Sequence, residues 1–272
     1  MIKNKPFFSI IIPALNEEKY LPKLLTDLSN QTFKDFEVIV VDGKSIDQTV
    51  EKVKTYSKLL PSLKILTSDK RHVCTQRNLG AKVSKSDILI FSDADNRLPP
   101  YFLQGLKYRW ESNKSNILSF WLKPDVSTPQ NDTIALAVNT FLELQSIRNP
   151  KYLFEALIVI EKNCFDDIGG FTESIDYAEG KNLIRSATAK GYKYTVLRDP
   201  TYITSFRRFR KIGVLKLAGN VARMELSELL GPDFHARQAK VLYPMFGGTL
   251  SKKPKRAKNK FLKNIQKILK DF

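Results

Sequence analysis

FSIIIPALNEEKYLPKLLTDL, residues 8–28, sets the pattern that the first part of the chain repeats. It begins with a run of apolar, mostly β-branched residues that a proline ends at position 13, which is typical of a short buried strand. From residue 17 onward the apolar side chains follow the spacing of one helical face, at Tyr20, Leu21, Leu24, Leu25 and Leu28. The stretch therefore predicts a strand that is followed directly by an amphipathic helix over residues 17–28.

The same unit of strand and helix recurs through the first hundred residues. Further apolar runs predict strands over residues 36–41, 62–66 and 87–92, and helical patterns over residues 46–59 and 74–83 separate them. Strands that are apolar throughout are buried on both faces, and strands separated by helices form a parallel sheet with right-handed crossovers. We therefore expect an α/β fold with a doubly wound, mostly parallel sheet, whose ligands bind outside the carboxyl ends of the strands.

The second half of the chain is less regular. Its patterns predict helices over residues 130–148, 181–189 and 207–230, and strands over residues 157–161 and 192–197. The last of these helices predicts a helical extension that follows the α/β domain.

The composition excludes several classes of protein. Of the 272 residues, 42% are hydrophobic and 27% are charged, as in ordinary folded proteins. Two isolated cysteines exclude a disulfide framework and a cysteine zinc site, and they favour a reducing, cytoplasmic location. The first residues, MIKNKPFF, do not resemble a signal peptide, and no window of 18 uninterrupted apolar residues predicts a membrane span.

The formal net charge of +17 predicts an anionic partner. Nine Lys or Arg and one Asp give residues 251–272 a charge of +8, nearly half of the excess. Because no helix-turn-helix, RNA-binding or zinc-finger pattern accompanies this charge, we do not expect binding to nucleic acid. The apolar residues of this tail lie on one helical face opposite its lysines, which favours contact with an anionic membrane surface over packing of the tail on its own domain. They are Phe261, Leu262, Ile265, Ile268, Leu269 and Phe272.

Polar residues follow three of the predicted strands, at the place where a ligand of such a sheet binds. PALNEE follows the first strand, DGKSID the second, and DAD (residues 93–95) the fourth. Neither a dinucleotide fingerprint nor a P-loop pattern is present. Asp93 and Asp95 can instead turn toward one hard cation that bridges phosphate oxygens. The alternative is that both aspartates only cap a helix beginning near Pro99.

In its motifs and their order, the chain resembles the family 2 glycosyltransferases of the GT-A fold over roughly its first 210 residues. The matching segments are FSIIIPALNEEKYL (8–21), FEVIVVDGKSIDQTV (36–50), TQRNLGAKVSKSDILIFSDADNRLPP (75–100), FDDIGGF (165–171), GYKY (191–194) and SFRRFRKIG (205–213). The resemblance implies an inverting enzyme that transfers a sugar from a nucleotide-diphospho-sugar donor with the help of Mg²⁺ or Mn²⁺.

The resemblance also implies a donor site built from several segments. Its expected residues are Pro13, Ala14, Asn16, Glu17, Asp42, Lys44, Arg71, Arg77, Asp93 and Ala94. Asp93 and Asp95 match the D-x-D element that holds the metal, and Asp95 is the expected direct ligand. Arg77 begins the R-N-x-G element beside the nucleotide, although it can also be read as a solvated helix residue. Asn16 and Glu17 can likewise be read as the start of a helix.

Inverting transfer needs a base that deprotonates the acceptor hydroxyl. Relatives place a Glu-Asp pair before the helix that leads to the G-Y element, whereas this chain has Glu179 followed by Gly180. We expect Glu179 to be the base and Asp176 the alternative, and a helix cap remains open for Glu179. The resemblance further implies contacts to acceptor or phosphate from Gly170, Arg207 and Arg208.

These observations predict a GT-A nucleotide-sugar transferase domain over residues 1–205, in a nucleotide-binding half (1–100) and an acceptor half (101–205). A helical extension (206–250) and a basic amphipathic tail (251–272) follow. A sugar-phosphate nucleotidyltransferase needs a glycine-rich loop where this chain has PALNEE, which argues against that class. We expect a UDP- or GDP-sugar donor, a glycan or lipid-linked acceptor, and a peripheral location on the inner face of the cytoplasmic membrane. A homologue that binds the donor without transfer remains the alternative.

Overall fold

The computed structural model describes residues 5–148, 150–175, 178–229, 237–239 and 242. In chain order its elements are β1 (Phe8–Ala14), α1 (Leu21–Ser29), β2 (Phe36–Asp42), α2 (Thr49–Lys54), β3 (Leu63–Thr67), α3 (Val73–Val83), β4 (Ile88–Ser92), α4 (Phe102–Ser112), β5 (Ile117–Pro124), α5 (Pro129–Arg148), β6 (Leu157–Glu161), α6 (Lys162–Asp167), α7 (Glu179–Ala189), β7 (Tyr194–Thr204), α8 (Arg207–Ile212) and α9 (Val214–Leu229).

The described residues form one seven-stranded sheet in the order β3-β2-β1-β4-β6-β5-β7. The first four strands run parallel, as do β5 and β7, whereas β6 runs antiparallel to both of its neighbours. The α/β fold with a mostly parallel sheet is therefore confirmed. Because β6 is reversed, its amino end lies beside the carboxyl end of β4, where Ser92 pairs with Leu157. The residues just before β6 thus reach the edge of the sheet at which ligands bind.

Both faces of the sheet are covered by helices, which explains why β1 and β2 are buried along their whole length. Ile10 and Ile12 contribute to a core that contains the apolar residues of α1 and α4. Ile11 points to the opposite core, which contains residues of α3, α6 and α7. Gly80 lets α3 approach β1 closely, because a Cβ atom there would overlap the Ile11 side chain.

Most of the predicted elements are present, with shifted ends. The helix predicted from residue 17 begins only at Leu21, since Asn16 has φ +56° and residues 17–20 form a turn. The second helix is limited to Thr49–Lys54, with turns after it. β5 and α6 were not predicted, although β5 contains the apolar run ILSFWL.

The segment after β7 returns to the carboxyl edge of the sheet. Phe206 is buried in the core that contains Ile10 and Ile12 of β1. Its amide donates a hydrogen bond of 2.9 Å to Asp125, which also pairs with Arg210 at 2.7 Å. These contacts anchor α8 against the end of β5. In the part of the chain that the structure describes, no helix combines the length and the apolar character needed to cross a bilayer.

Candidate active site

The D-A-D element directly follows β4 at the carboxyl edge of the sheet. The Asp93 amide donates to the carbonyl of Ala156 at 2.9 Å, which ties the element to the residues before β6. The alternative that both aspartates cap the next helix is wrong. That helix begins at Phe102, and its N-cap position is held by Tyr101. Neither aspartate is therefore used as a helix cap.

Arg77 lies buried below Asp93. Its Nη2 donates to Asp93 Oδ1 at 3.0 Å and to the carbonyl of Glu155 at 3.1 Å, and its guanidinium stacks 5.1 Å from the Phe171 ring centroid. The reading of Arg77 as a solvated residue is wrong, because only 2% of it is exposed. Its Nε and Nη1 have no hydrogen-bond partner among the described residues. A buried guanidinium with two unused donors suits an anionic or hydroxyl-bearing ligand.

The environment of Asp93 disfavours its charge. Loss of solvent contact raises the pKa of Asp93 to about 6, although Arg77 acts in the opposite direction. The charge of Asp95 contributes to the same rise. A cation bound between Asp93 and Asp95 would offset the negative charges of both carboxylates.

Arg207 joins Glu17 to Asp95 across the mouth of the site. Its Nη2 lies 2.8 Å from Glu17 Oε1, its Nε lies 3.1 Å from Asp95 Oδ2, and its guanidinium lies 4.6 Å from the ring centroid of Tyr20. Burial raises the pKa of Glu17 to about 7 even though Arg207 opposes the change, and burial also raises the pKa of Asp95. Arg207 was expected to contact the acceptor or a phosphate. In the structure it lies between Glu17 and Asp95 and pairs with both carboxylates.

Asn16 connects the loops that follow β1 and β2. Its amide donates to Ser45 Oγ at 2.8 Å, and its Oδ1 accepts from the amide of Ile46 at 2.8 Å. It therefore holds a loop and does not cap α1, which begins five residues later. Glu17 is held in a similar way, because its amide donates to Thr49 Oγ1 at 2.8 Å.

Asp42 closes β2 with half of its carboxylate unused. Oδ2 accepts from the amide of Ser45 at 3.0 Å, whereas the buried Oδ1 has no partner among the described residues. Lys44 adopts φ +63°, and its carbonyl accepts from Arg71 Nη2 at 3.1 Å. The structure thus brings Arg71 to the loop that Asp42 begins.

Pro13 and Ala14 end β1 beside the last two residues of β2. Gln76 Nε2 donates to the carbonyls of Ala14 and Val41, at 2.9 and 2.7 Å, and so fixes the two strand ends to each other. Ala94 lies buried between the two aspartates of the D-A-D element. These three residues shape the floor of the site by their backbone.

Glu179 is the first residue of α7 and is 7% exposed. A carboxylate at this position is favoured by the helix dipole, so its place at a helix start and a role toward a ligand are compatible. It lies beside Glu155, a residue that no sequence motif indicated, whose Oε1 accepts from the amide of Gly180 at 2.7 Å. The alternative base, Asp176, lies outside the described residues.

The remaining expected contacts have different surroundings. Gly170 has φ +72°, and a Cβ atom there would lie 2.9 Å from Asn78 Oδ1. Glycine is required by this turn, which presents Phe171 to Arg77. Arg208 follows Arg207 on α8 and is half-buried.

Three residues of the site were not among those expected from the resemblance: Glu155, Gln76 and Tyr20. Gln76 and Tyr20 stand inside matched segments, next to residues that were selected. Glu155 precedes an apolar strand in the less regular half of the chain. Glu155 reaches the site because β6 runs antiparallel to β4, and no local sequence pattern reveals the direction of that strand.

Asp93 and Asp95 are the described residues that would hold a divalent cation shared with a ligand. Among the described residues, no group of three or more His, Cys, Asp or Glu side chains converges on one point. Asp93 and Asp95 nevertheless offer hard oxygen atoms close together, and their negative charges raise the pKa of Glu17. Mg²⁺ is commonly bound by one or two carboxylates together with phosphate oxygens of a substrate.

The chain is similar to enzymes that act on diverse acceptors. It is 26% identical over 209 residues to poly(ribitol-phosphate) beta-N-acetylglucosaminyltransferase TarS of Staphylococcus aureus, which covers 74% of this chain and 36% of TarS. It is 38% identical over 92 residues to a dolichyl N-acetyl-alpha-D-glucosaminyl phosphate 3-beta-D-2,3-diacetamido-2,3-dideoxy-beta-D-glucuronosyltransferase of Methanococcus voltae, which covers 32% of this chain and 29% of that protein. The chain therefore spans about a third of the length of these two relatives.

The fold is similar to solved structures of the same kind. TarS 1–349 in complex with UDP superposes with a TM-score of 0.58 at 24% identity, over 82% of this chain and 70% of that one. The mannosyltransferase PcManGT of Pyrobaculum calidifontis, in complex with GDP-Man and Mn²⁺, superposes with a TM-score of 0.63 at 16% identity, over 87% of this chain and 69% of that one. Glycosyl transferase family 2 matches residues 9–199, which is well over half of the chain. The chain belongs to this family.

Proposed function

We propose that the protein transfers a sugar from a UDP- or GDP-sugar to an acceptor hydroxyl, with inversion and with a divalent cation. The observation that carries this proposal is the convergence of Asp42, the D-A-D element and Glu179 on one edge of the sheet. Together they offer a contact for a nucleoside, a place for a diphosphate and a base. We also propose that the division into residues 1–205, 206–250 and 251–272 describes the parts of the chain.

The nucleoside is proposed to bind over the ends of β1 and β2. The unused Oδ1 of Asp42 can accept a hydrogen bond from a ribose hydroxyl or a base N–H group. Lys44 lies on the loop after β2, and Arg71 reaches its carbonyl from the loop after β3. Support for the donor class comes from the solved structures of similar fold, which hold UDP in TarS and GDP-Man in PcManGT.

The diphosphate is proposed to lie between Asp93, Asp95 and the two arginines. When bound, Mg²⁺ or Mn²⁺ would offset the charge of the diphosphate and of the two aspartates that hold it. Arg207 already contributes a positive charge at this position. Arg77, which donates to Asp93 Oδ1 at 3.0 Å, adds a second positive charge beside the diphosphate.

Glu179 is proposed as the general base. Its carboxylate takes the proton of the acceptor hydroxyl while the acceptor oxygen forms a bond to the anomeric carbon. The bond from that carbon to the diphosphate breaks, and the electron pair leaves with the nucleoside diphosphate. Attack from the side opposite to the leaving group inverts the anomeric centre.

The acceptor is proposed to be a glycan or a lipid-linked molecule near an anionic membrane surface. The name of the Methanococcus voltae relative describes a dolichyl phosphate-linked acceptor, and the name of TarS describes a polymer. The charge of +8 on residues 251–272 supports attraction to anionic lipids. A peripheral position on the inner face of the cytoplasmic membrane would bring the site to such an acceptor.

Binding of nucleoside diphosphates tests the donor and metal parts of the proposal. Calorimetry with UDP and GDP should show binding with Mn²⁺ that is strongly weakened by EDTA. Asp95→Ala should remove the binding that depends on the metal while the circular dichroism spectrum stays unchanged. Asp166→Ala, which removes a surface carboxylate on α6, is the matched control and should bind normally. Equal affinity with and without metal in both the wild type and Asp95→Ala would overturn the role of the cation.

Turnover tests the base. Glu179→Gln should keep its affinity for the donor, whereas transfer should fall by about 10² to 10⁴-fold, the usual contribution of a general base. NMR of the product should show the inverted anomer. Near-normal transfer by Glu179→Gln would exclude this residue and direct attention to Asp176.

A second candidate function is binding of the donor without transfer. It is favoured by Gly180, which stands where relatives of this family carry the second acid of a Glu-Asp pair. Release of nucleoside diphosphate from a panel of nucleotide sugars and acceptors separates the two functions, since only a transferase releases it at a rate that depends on the acceptor.

A further inference from the structure

Glu155 fills the space beside Gly180. The amide of Gly180 donates a hydrogen bond of 2.7 Å to Glu155 Oε1. A Cβ atom at position 180 would lie 2.8 Å from Glu155 Cγ and 2.9 Å from Leu153 Cδ2, closer than real Cβ contacts allow. With Glu155 in this position, residue 180 has room for hydrogen and for no larger side chain.

The Gly180 amide that Glu155 Oε1 accepts belongs to the residue after Glu179, which brings the two carboxyl groups close enough for the charge of Glu179 to raise the pKa of Glu155. A hydrogen bond between the two carboxyl groups requires that one of them carries a proton, because two carboxylates only accept. Burial and the charge of Glu179 raise the pKa of Glu155 well above its ordinary value, whereas Arg77 and the Gly180 amide act in the opposite direction. Cys74 also lies near this pair, and the two acids contribute to a rise in its pKa. The raised pKa of Glu155 favours its protonated form.

The pair is connected to the D-A-D element through the backbone. Arg77 Nη2 donates both to the carbonyl of Glu155 and to Asp93 Oδ1. The next residue, Ala156, accepts the Asp93 amide at 2.9 Å. Glu155 thus stands at the same edge of the sheet as the proposed diphosphate site, on the segment that the reversed direction of β6 brings there.

We propose that Glu155 is the positioning residue for Glu179 and supplies the second acid that Gly180 leaves out. This inference rests on the proposed function. The neutral carboxyl group of Glu155 accepts from the Gly180 amide and donates to the Glu179 carboxylate, which fixes the orientation of that carboxylate toward the acceptor. When the acceptor hydroxyl gives its proton to Glu179, the proton on Glu155 stays where it is. Gly180 is consequently not a lost catalytic residue but the space in which Glu155 packs.

Substitutions of Glu155 separate positioning from proton transfer. Glu155→Ala should lower transfer by about 10² -fold, the cost of a misplaced catalytic group, with little change in affinity for nucleoside diphosphate and Mn²⁺. Glu155→Gln should restore transfer to within about tenfold of the wild type, because an amide can accept from Gly180 and donate to Glu179 in the same way. The conservative change Glu179→Gln should not preserve transfer in this way, because an amide cannot take the proton of the acceptor hydroxyl. Glu111→Gln, an exposed acid on α4, is the matched control and should transfer normally.

Placing an acid at position 180 tests directly whether Glu155 takes the place of the acid that this position lacks. Gly180→Asp should lose transfer, since its side chain meets Glu155. The double variant Glu155→Ala with Gly180→Asp should be more active than either single variant, because the vacated space admits the new acid. Additive or greater loss in the double variant, or equal loss in Glu155→Gln and Glu179→Gln, would overturn the proposal.

A readout that does not need turnover distinguishes this inference from the proposed function. Carbon-13 NMR of glutamate carboxyl groups near neutral pH should show a protonated carboxyl signal that Glu155→Gln removes but that Glu17→Gln and Glu111→Gln retain, since Glu17, with a pKa of about 7, gives a signal of its own. Absence of that signal in the wild type would overturn the shared proton even in an active enzyme. If the signal is present but the wild type releases no nucleoside diphosphate from any donor, the proposed function fails and the catalytic role of Glu155 fails with it.

Discussion

Glu17→Gln should make the protein less sensitive to alkaline pH. Glu17 is 5% exposed, and its burial raises the pKa from an ordinary value of 4.5 to about 7. The folded state thus holds the proton more tightly than the unfolded state does. The stability that this proton contributes is fully present below about pH 4.5 and is lost as the pH rises through about 7. Glutamine imitates the protonated acid at every pH.

The size of the effect follows from the two pKa values. A difference of about 2.5 pH units corresponds to about 3 kcal/mol, of which about 2.5 kcal/mol is lost between pH 5.0 and 8.5. The free energy of unfolding of the wild type should therefore fall by about that much more than that of Glu17→Gln over this interval. Arg207, Asp93 and Asp95 face the same carboxyl group, so the comparison is made in EDTA, without a cation that would change their charges.

Urea unfolding at pH 5.0 and 8.5 measures the difference. Glu173→Gln is the control, because hydrogen bonds from Thr75 and Asn78 lower the pKa of Glu173. The stability that Glu173 contributes is present above its ordinary pKa and lost only as the pH falls through its lowered value. Its substitution should thus cost the same at both pH values. Parallel pH profiles for the wild type and Glu17→Gln would refute the assignment of a buried proton to Glu17.

Three further predictions concern the donor contact, the core and the tail. Asp42→Ala should weaken the binding of UDP or GDP by about 10 to 100-fold in calorimetry, the contribution of a hydrogen bond to a charged group, and unchanged affinity would exclude the contact. Gly80→Ala should lower the free energy of unfolding by about 1–3 kcal/mol because its methyl group meets Ile11. Gly219→Ala, whose Cβ would meet no atom of the described residues outside its own helix within 4 Å, should be neutral or stabilising, and equal effects of the two changes would contradict the close approach of α3. Removal of residues 251–272 should release the protein from anionic vesicles, and high salt should release the full chain only partly. A lower melting temperature with unchanged vesicle binding would show that the tail packs on the domain.

Local patterns were sufficient for the units of the fold and for the place of the polar residues that follow β1, β2 and β4. A buried strand and an amphipathic helix are specified by the spacing of neighbouring apolar residues, so β1 to β4 and the helices between them followed from the pattern. The carboxyl ends of parallel strands meet at one edge, and this placed Asp42 and the D-A-D element together before any contact was known. The family resemblance then gave each residue an expected role.

The surroundings of these residues depend on contacts between distant parts of the chain. Arg207 reaches Glu17 across 190 positions, and Glu155 reaches Gly180 through the reversed direction of β6. The order of strands in the second half is set by which faces pack together, and it leaves no periodic signal near Glu155 itself. Burial also depends on distant parts of the chain. The side chains that raise the pKa of Glu17 and that enclose Arg77 come from several elements. Residue type and spacing thus determined which groups can do the chemistry, whereas packing between distant segments determined their partners, their charge and the place of the second acid.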